Sequence, residues 1–424
     1  MLPMKKIAVC SLSLAAITVP MVAQTPARAA QPAPASTPMS SPAPAPTGGV
    51  PKAQTAPGVS PSPSANPSAS PSATPTPLYQ FSGYVDVSHT SLHGANALQF
   101  TSGVADRVFD TQKSGLQPNA LDLAITHNSS GMLGGKIEVL GGNDANIIQS
   151  YSFSNTNNFS IMQAYLSYTT GLFTATAGKY VTFAGAEVIQ SPQNTNFSRS
   201  ILFGYAVPFT HTGVRLTYAP NSIISVTGGV NNGWDSFNDP NGAKTLEGAI
   251  AYTPNKIVTL NLQGYTGKEP LSLYPLNPIT GNRTLIDAVA TFHASTPLSF
   301  VVNYDLGTQA NAPLLNGGGG LLGNGTAVWD GVAGYINYQF PTLPIALSAR
   351  AETFYDANGY RTGLQQRWNE QTFTIGITPF APFTIRGEYR NDTSSVPAFL
   401  QADGSGRRQQ HTLGVEALLK ISRP

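Results

Sequence analysis

From residue 79 almost to the end, the sequence alternates apolar and polar residues in short segments, and the connections between those segments alternate between long and short. Period-two alternation marks strands with one apolar and one polar face. About 16 segments fit the pattern. They lie near 79–89, 119–127, 134–142, 160–170, 172–180, 211–218, 223–231, 245–253, 256–266, 284–294, 298–306, 329–340, 345–354, 371–378, 383–390 and 411–421. The short connections are NSSGML, TTG, APNS, TPN, STP, PTLP and TPFAP. The long ones sit near 90–118, 143–159, 181–210, 232–244, 267–283, 307–328, 355–370 and 391–410. A soluble sandwich has no reason to sort its loops in this way, whereas a membrane barrel has short turns on one side and longer loops on the other.

The hairpin at 211–235 shows what the two faces carry. Val214, Leu216, Ile224, Val226 and Val230 fall on one parity, Arg215, Thr217, Ser225, Thr227 and Asn231 on the other. In a barrel the first set meets lipid and the second faces water. The outward parity ends beside short turns in Tyr168, Tyr218, Tyr252, Phe292 and Tyr338, and Phe173, Phe300 and Phe383 begin the strands just after such turns. Aromatic rings favour the lipid–water boundary, so this repeat predicts a girdle on the short-turn side. Composition agrees. Charged residues make up only 10% of the 424 residues, well under the roughly 25% usual in soluble domains, yet mean hydropathy is −0.08. Weakly polar residues fill the difference, as a wet barrel face requires. A net charge of +2 without a basic run excludes nucleic acid as a partner.

The first 29 residues have the features of a secretory signal: Lys5 and Lys6, then IAVCSLSLAAITVPMVA, then a small-residue ARAA end. Residues 30–77 are Pro, Ala, Ser and Thr, a composition that predicts a disordered spacer rather than a folded unit. Cys10, the single cysteine, falls in the leader and rules out a disulfide framework. No later apolar run reaches the ~18 residues of a helical span. An even strand number with long connections first and last puts both chain ends on the short-turn side, which is the periplasmic side for the spacer.

Parity places Asp122, Lys136, Glu138, Glu247, Asp305, Arg350, Glu352, Arg386, Glu388, Arg390, Glu416 and Lys420 inward. The connection VTFAGAEVIQSPQNTNFSRSILFGYAVPFT, 181–210, is too apolar for a loop left in water. It is expected to enter the lumen and to bring Glu187 and Arg199 opposite wall residues such as Arg215. Charges that converge on a constriction set pore selectivity. The pore-lining or constriction candidates are therefore Glu187, Arg199, Arg215, Glu247, Arg350, Arg386 and Glu388. No catalytic, cofactor-binding or metal-ligating residue is assigned: the chain has no G-x-S-x-G elbow and no P-loop, and His89 and His93 straddle a strand end.

The stretch from MQAYLSYTTGLF to THTGVRLTYAP, with the following GGVNNGWDSFNDPNGAKTLEGAIAYTP and the earlier ADRVFD at 105–110, resembles β-barrel porin family 2, the OmpL-like barrels. The clear likeness covers about 105–266. It implies an outer-membrane barrel with porin activity and transfers no binding residues. One feature departs from barrels generally, which tend to end in an aromatic residue: this chain ends LLKISRP. The resulting expectation is an all-β, transmembrane, antiparallel up-and-down barrel (78–424) behind a signal peptide (1–29) and spacer (30–77). It would sit in the bacterial outer membrane and pass small hydrophilic solutes or ions without a cofactor. Its partners would be outer-membrane lipid, the assembly machinery and, as is common for such channels, two further copies in a homotrimer. The alternative is a non-conducting structural or binding barrel of the envelope.

Overall fold

Alternating segments can satisfy their backbone groups only by pairing, and in hydrocarbon the pairing must close on itself. The computed structural model describes residues 78–93, 107–110, 115–127, 133–150, 158–239, 241–270, 280–400 and 405–423. The expected signal peptide and spacer lie outside the described residues. The strands are β1 (Tyr79–His93), β2 (Gln117–His127), β3 (Leu133–Gly141), β4 (Phe159–Thr170), β5 (Phe173–Val181), β6 (Thr210–Tyr218), β7 (Ile224–Asn231), β8 (Thr245–Tyr252) and β9 (Val258–Pro270). They continue as β10 (Thr280–Ser295), β11 (Leu298–Leu315), β12 (Leu321–Gln339), β13 (Ile345–Asp356), β14 (Gln366–Phe380), β15 (Phe383–Ser394), β16 (Phe399–Leu400), β17 (Gly406–Arg407) and β18 (Gln409–Arg423). Among the described residues, two short α-helices, α1 (Asn143–Ile147) and α2 (Ile201–Tyr205), and a 3-10 turn at Ser191–Gln193 lie in connections.

β1 to β15 and β18 form one closed antiparallel barrel in which each strand pairs with its sequence neighbours; β16 and β17 form a separate two-stranded ribbon. Closure is made by β1 on β18, from Phe81 opposite Arg423 to His93 opposite His411. The last strand thus stands without a terminal aromatic: Leu413, Val415, Leu419 and Ile421 carry its exposed apolar face. No helix among the described residues is long and apolar enough to cross a membrane, so crossing is left to the strands.

The faces divide as parity predicts. Val214 is 55% exposed and Leu216 51%, while Arg215 between them is 6% exposed. Val226 and Val230 are exposed, Thr217, Thr227 and Asn231 buried, and Ile224 and Ser225 intermediate beside the turn. At the short-turn end, Phe173 packs at a tilt against Tyr218 across β5 and β6 with ring centroids 4.9 Å apart, and Phe292 meets Phe300 across β10 and β11 at 6.4 Å. These are cross-strand aromatic pairs at the level of the expected girdle.

Two expectations need correction. The region 307–328 is not a long loop. β11 and β12 run far past the expected ends and leave only 316–320 between them. Asn311, at φ 59°, and a register shift between Gln309 and Ala312 mark a bulge that hid the alternation. The region 267–283 is likewise partly strand, because β9 reaches Pro270 and β10 starts at Thr280. Gly307 shows why a glycine belongs in the extended ribbon: a Cβ there would lie 2.0 Å from the Trp329 ring, which occupies its place.

If the exposed apolar face meets hydrocarbon, Val214→Arg, near the middle of β6, costs about 2–4 kcal/mol of folding stability in liposomes. Val214→Ile leaves the denaturant midpoint unchanged. Urea titration of the bilayer-folded chain checks both.

Candidate pore lining and lumen loop

The connection from β5 to β6 does not remain outside the barrel. Its ends meet where the Thr182 N–H donates to the Phe209 carbonyl at 2.9 Å, and its middle crosses the interior. Tyr265 of β9 takes the first grip: the Phe183 N–H donates to its hydroxyl at 3.2 Å. On β10 and β11, Asp287 accepts from the Gly185 N–H at 3.1 Å and Asn303 from the Ala186 N–H at 3.0 Å. Farther along the same arc, Glu388 of β15 accepts from the backbone of Phe197 at 2.7 Å and Ser198 at 3.0 Å. Glu352 of β13 accepts from Ile201 at 2.6 Å and Leu202 at 3.0 Å. That carboxylate meets the first free N–H groups of α2, where Ser200 caps the turn by accepting from the Phe203 N–H at 3.0 Å. The loop is thus held through its main chain by wall side chains along one arc of the barrel, from β9 to β15.

Wall guanidiniums complete the hold. Arg350 pairs with Glu187 at 2.6 Å and Glu370 at 3.1 Å, and donates to the Ser198 carbonyl at 2.7 Å. Arg386 pairs with Glu416 and donates to the carbonyls of Asn194 at 2.8 Å and Asn196 at 2.9 Å. Arg390 donates to the Arg199 carbonyl at 2.7 Å. Arg199 turns back on its own loop, donating to the carbonyls of Phe197 at 2.9 Å and Ile189 at 2.5 Å, with Asp144 of α1 at 3.9 Å.

Of the seven sequence candidates, Glu187, Arg199, Arg350, Arg386 and Glu388 therefore come together around residues 187–200, all buried. Arg215 and Glu247 do not join them, which corrects the expectation that Glu187 and Arg199 face Arg215. Arg215 of β6 and Glu247 of β8 flank Gly229 in one cross-strand row, and with no side chain between them they pair at 2.7 Å. Tyr180 and Phe183 lie against that guanidinium at 3.7 and 4.0 Å, and it donates to the Val181 carbonyl at 3.0 Å.

Two features were missed. Glu370 pairs with Arg350, but the expected strand began at 371; carrying its parity one residue upstream finds it. The lumen is also drier than the sequence reading held. Ile201, Leu202, Phe203, Tyr205 and Phe209 of the loop are buried with Phe354, Trp329 and Trp368 of the wall. The Val108–Phe109 pair joins them, Phe109 lying 5.4 Å from Phe209. The signal was present, since inward apolar residues such as Leu285, Val289 and Phe354 have to be covered. Beyond the loop, toward the short turns, a cavity of about 930 Å³ opens between Pro192–Thr195 and wall residues including Asn337, Ser348, Thr378 and Lys420.

Two outcomes follow. Removing Arg350 leaves Glu187 buried without its cation and Glu370 with Arg390 alone at 3.8 Å, so Arg350→Ala lowers stability by about 3–5 kcal/mol in chemical denaturation. Burial pushes the Asp144 carboxyl up to about 7, against the pull of Arg199. A raised carboxyl favours the folded state fully below its unfolded value of about 4, and that favour is lost as pH rises through about 7. Asp144→Asn therefore flattens the fall in denaturant midpoint between pH 4 and 7, measured over a buffer series.

Comparison with known proteins agrees with this geometry. Residues 79–421 match the family described as "Putative beta-barrel porin-2, OmpL-like". No curated protein matches the chain. Among solved structures, the outer membrane channel DcaP of Acinetobacter baumannii is similar at TM-score 0.54 and 16% identity, over 81% of this chain and 97% of that one. The outer-membrane-expressed OmpT of Vibrio cholerae is similar at TM-score 0.53 and 11% identity, over 82% and 99%. OprB of Pseudomonas putida is similar at TM-score 0.53 and 10% identity, over 81% and 94%. At these identities the likeness is one of fold. With 16 strands closed into a barrel, an apolar exterior and a family match over nearly all of the described chain, the protein belongs to the OmpL-like β-barrel porin-2 family and is a porin-like channel of the bacterial outer membrane.

Proposed function

We propose that the channel passes small hydrophilic solutes or ions by passive diffusion and that the 182–209 loop sets its width. The observation that carries this reading is the set of main-chain contacts from that loop to β9, β10, β11, β13 and β15. They support a constriction between the long-connection end and the 930 Å³ cavity. Glu187, Arg199, Arg350, Arg386 and Glu388 then act as constriction residues, and Arg215 and Glu247 as lining residues above one wall. Transport needs no cofactor, since gradients supply the driving force. The reading extends to a cleaved signal at 1–29, a spacer at 30–77 held in the periplasm, insertion by the outer-membrane assembly machinery and a homotrimer in the membrane.

The apolar packing of Phe203 and Phe209 inside the barrel favours a second reading, a plugged barrel with a binding or structural role in the envelope. Planar-bilayer recording separates the two. Diffusion predicts small unitary currents in the intact chain and a several-fold rise on deleting 186–203. Unchanged currents would remove the loop as the limiting element, and silence from the intact chain would favour the plugged barrel.

A further inference from the structure

Buried arginines in this barrel are matched, with two exceptions. Arg107, Arg199, Arg215, Arg350, Arg386 and Arg390 each have a carboxylate within 4.0 Å. Arg283 of β10 and Arg361, in the connection after β13, are 5% and 0% exposed and make no ion pair among the described residues. They lie against one indole: the Arg283 guanidinium carbon is 4.8 Å from the Trp234 ring centre and that of Arg361 is 5.8 Å from it. Trp329, edge-on to Trp234 with centroids 6.3 Å apart, forms the next wall, 5.1 Å from Arg361.

The donors of this cluster outnumber its acceptors. Arg361 Nε donates to the Tyr205 carbonyl, but Nη1 and Nη2 are buried with no acceptor, and so is Trp234 Nε1. Arg283 uses Nε on Gln309 at 2.6 Å and Nη2 on the Tyr360 hydroxyl at 3.0 Å. The nearby carboxylates serve the main chain. Asp356 accepts from the N–H groups of Tyr360, Arg361 and Thr362 at 2.7–2.9 Å, and Asp235 from those of Phe209 and Thr210 at 2.8 and 2.9 Å. Glu269 accepts from the Trp234 N–H at 3.1 Å and the Thr245 hydroxyl at 2.5 Å. Burial, and next the neighbouring Arg283 charge, push Arg361 down to about 10, which still leaves it a cation at neutral pH. Leaving buried charged donors unmade is costly, a forked guanidinium suits an oxyanion in shape and charge, and an indole N–H can add a further donor.

We propose that Arg361, Arg283 and Trp234 form a binding site for the oxyanion group of a solute, a carboxylate or a phosphate, at the long-connection end of the barrel. The site lies where the loop segment Tyr205–Ala206 meets the wall, since Trp329 Nε1 donates to the Ala206 carbonyl at 3.2 Å. Its transport role, the capture of anionic solutes ahead of the constriction, rests on the channel reading; binding itself does not.

The test uses the full mature chain folded in detergent. Trp234 and Trp329 are two of its three tryptophans, so intrinsic fluorescence reports on the site. Sodium phosphate and sodium succinate are titrated separately at constant ionic strength balanced with chloride. The expected result is a saturable change with at least one of them, at least tenfold weaker in Arg361→Gln and unaltered in Arg367→Gln, whose side chain lies on the outer face over Tyr355. Saturation by phosphate alone, succinate alone or both identifies the group recognised. A response that does not saturate, that chloride reproduces, or that persists in folded Arg361→Gln would overturn the site. Should Arg361→Gln fail to fold, Trp234→Phe keeps the ring, removes the indole donor and leaves Trp329 as reporter; several-fold weaker binding is expected, and unchanged binding overturns the proposal. Because no current is measured, a non-conducting chain that binds leaves the site standing, and a conducting chain that does not bind removes the site alone.

Discussion

Each backbone N–H and C=O that crosses hydrocarbon must find its partner within the protein, because lipid offers none. A sheet with free edges fails this demand, and a ring does not. The pairing of β1 with β18 is therefore the contact on which the others depend: without it the rest of the sheet would present two unsatisfied edges to lipid. The apolar exterior follows from the same constraint. Once the ring closes, one parity of every strand faces out, and the residues there include Val, Leu, Ile, Phe and Tyr, many of them more than 40% exposed.

The interior solves a different problem. A 16-strand ring is too wide for wall side chains to fill alone, and here a loop fills part of it. Ionic contacts in such a place are not a source of large net stability, because desolvating both partners offsets most of their attraction. Their value is positional. Glu352 and Glu388 each accept from two backbone N–H groups of the loop, and Arg350 and Arg386 donate to loop carbonyls, so donors and acceptors on the wall dictate the loop's path. Charge alternation along β13 and β15 then reads as a template for a folded insertion. The cluster of Arg283, Arg361 and Trp234 is one place where buried cationic donors are left without acceptors.

Strand existence and face were legible because both rest on period-two alternation, which is local. The barrel strands fell where alternation placed them, and the greasy loop announced by Phe197, Ile201 and Phe203 did enter the lumen. Strand ends were less legible: the bulge near Asn311 broke the alternation that would have extended β11. Pairing partners were not legible at all. Parity says that Arg215 points inward, but only the register β6–β7–β8 reveals that Gly229 leaves it open to Glu247. The aromatic and guanidinium cluster was equally hidden, since Trp234, Arg283, Trp329 and Arg361 lie on four separate elements.

The most direct measurement concerns the two faces. With Cys10 in the expected leader, the mature chain offers no competing thiol. Single cysteines placed in turn from 213 to 218 and from 224 to 231 can carry an environment-sensitive fluorophore in bilayers containing brominated lipid. An outward apolar face predicts quenching that alternates residue by residue, strong at 214, 216, 226 and 230 and weak at 215, 217, 225 and 227. Uniform quenching, or strong quenching on the opposite parity, would contradict it.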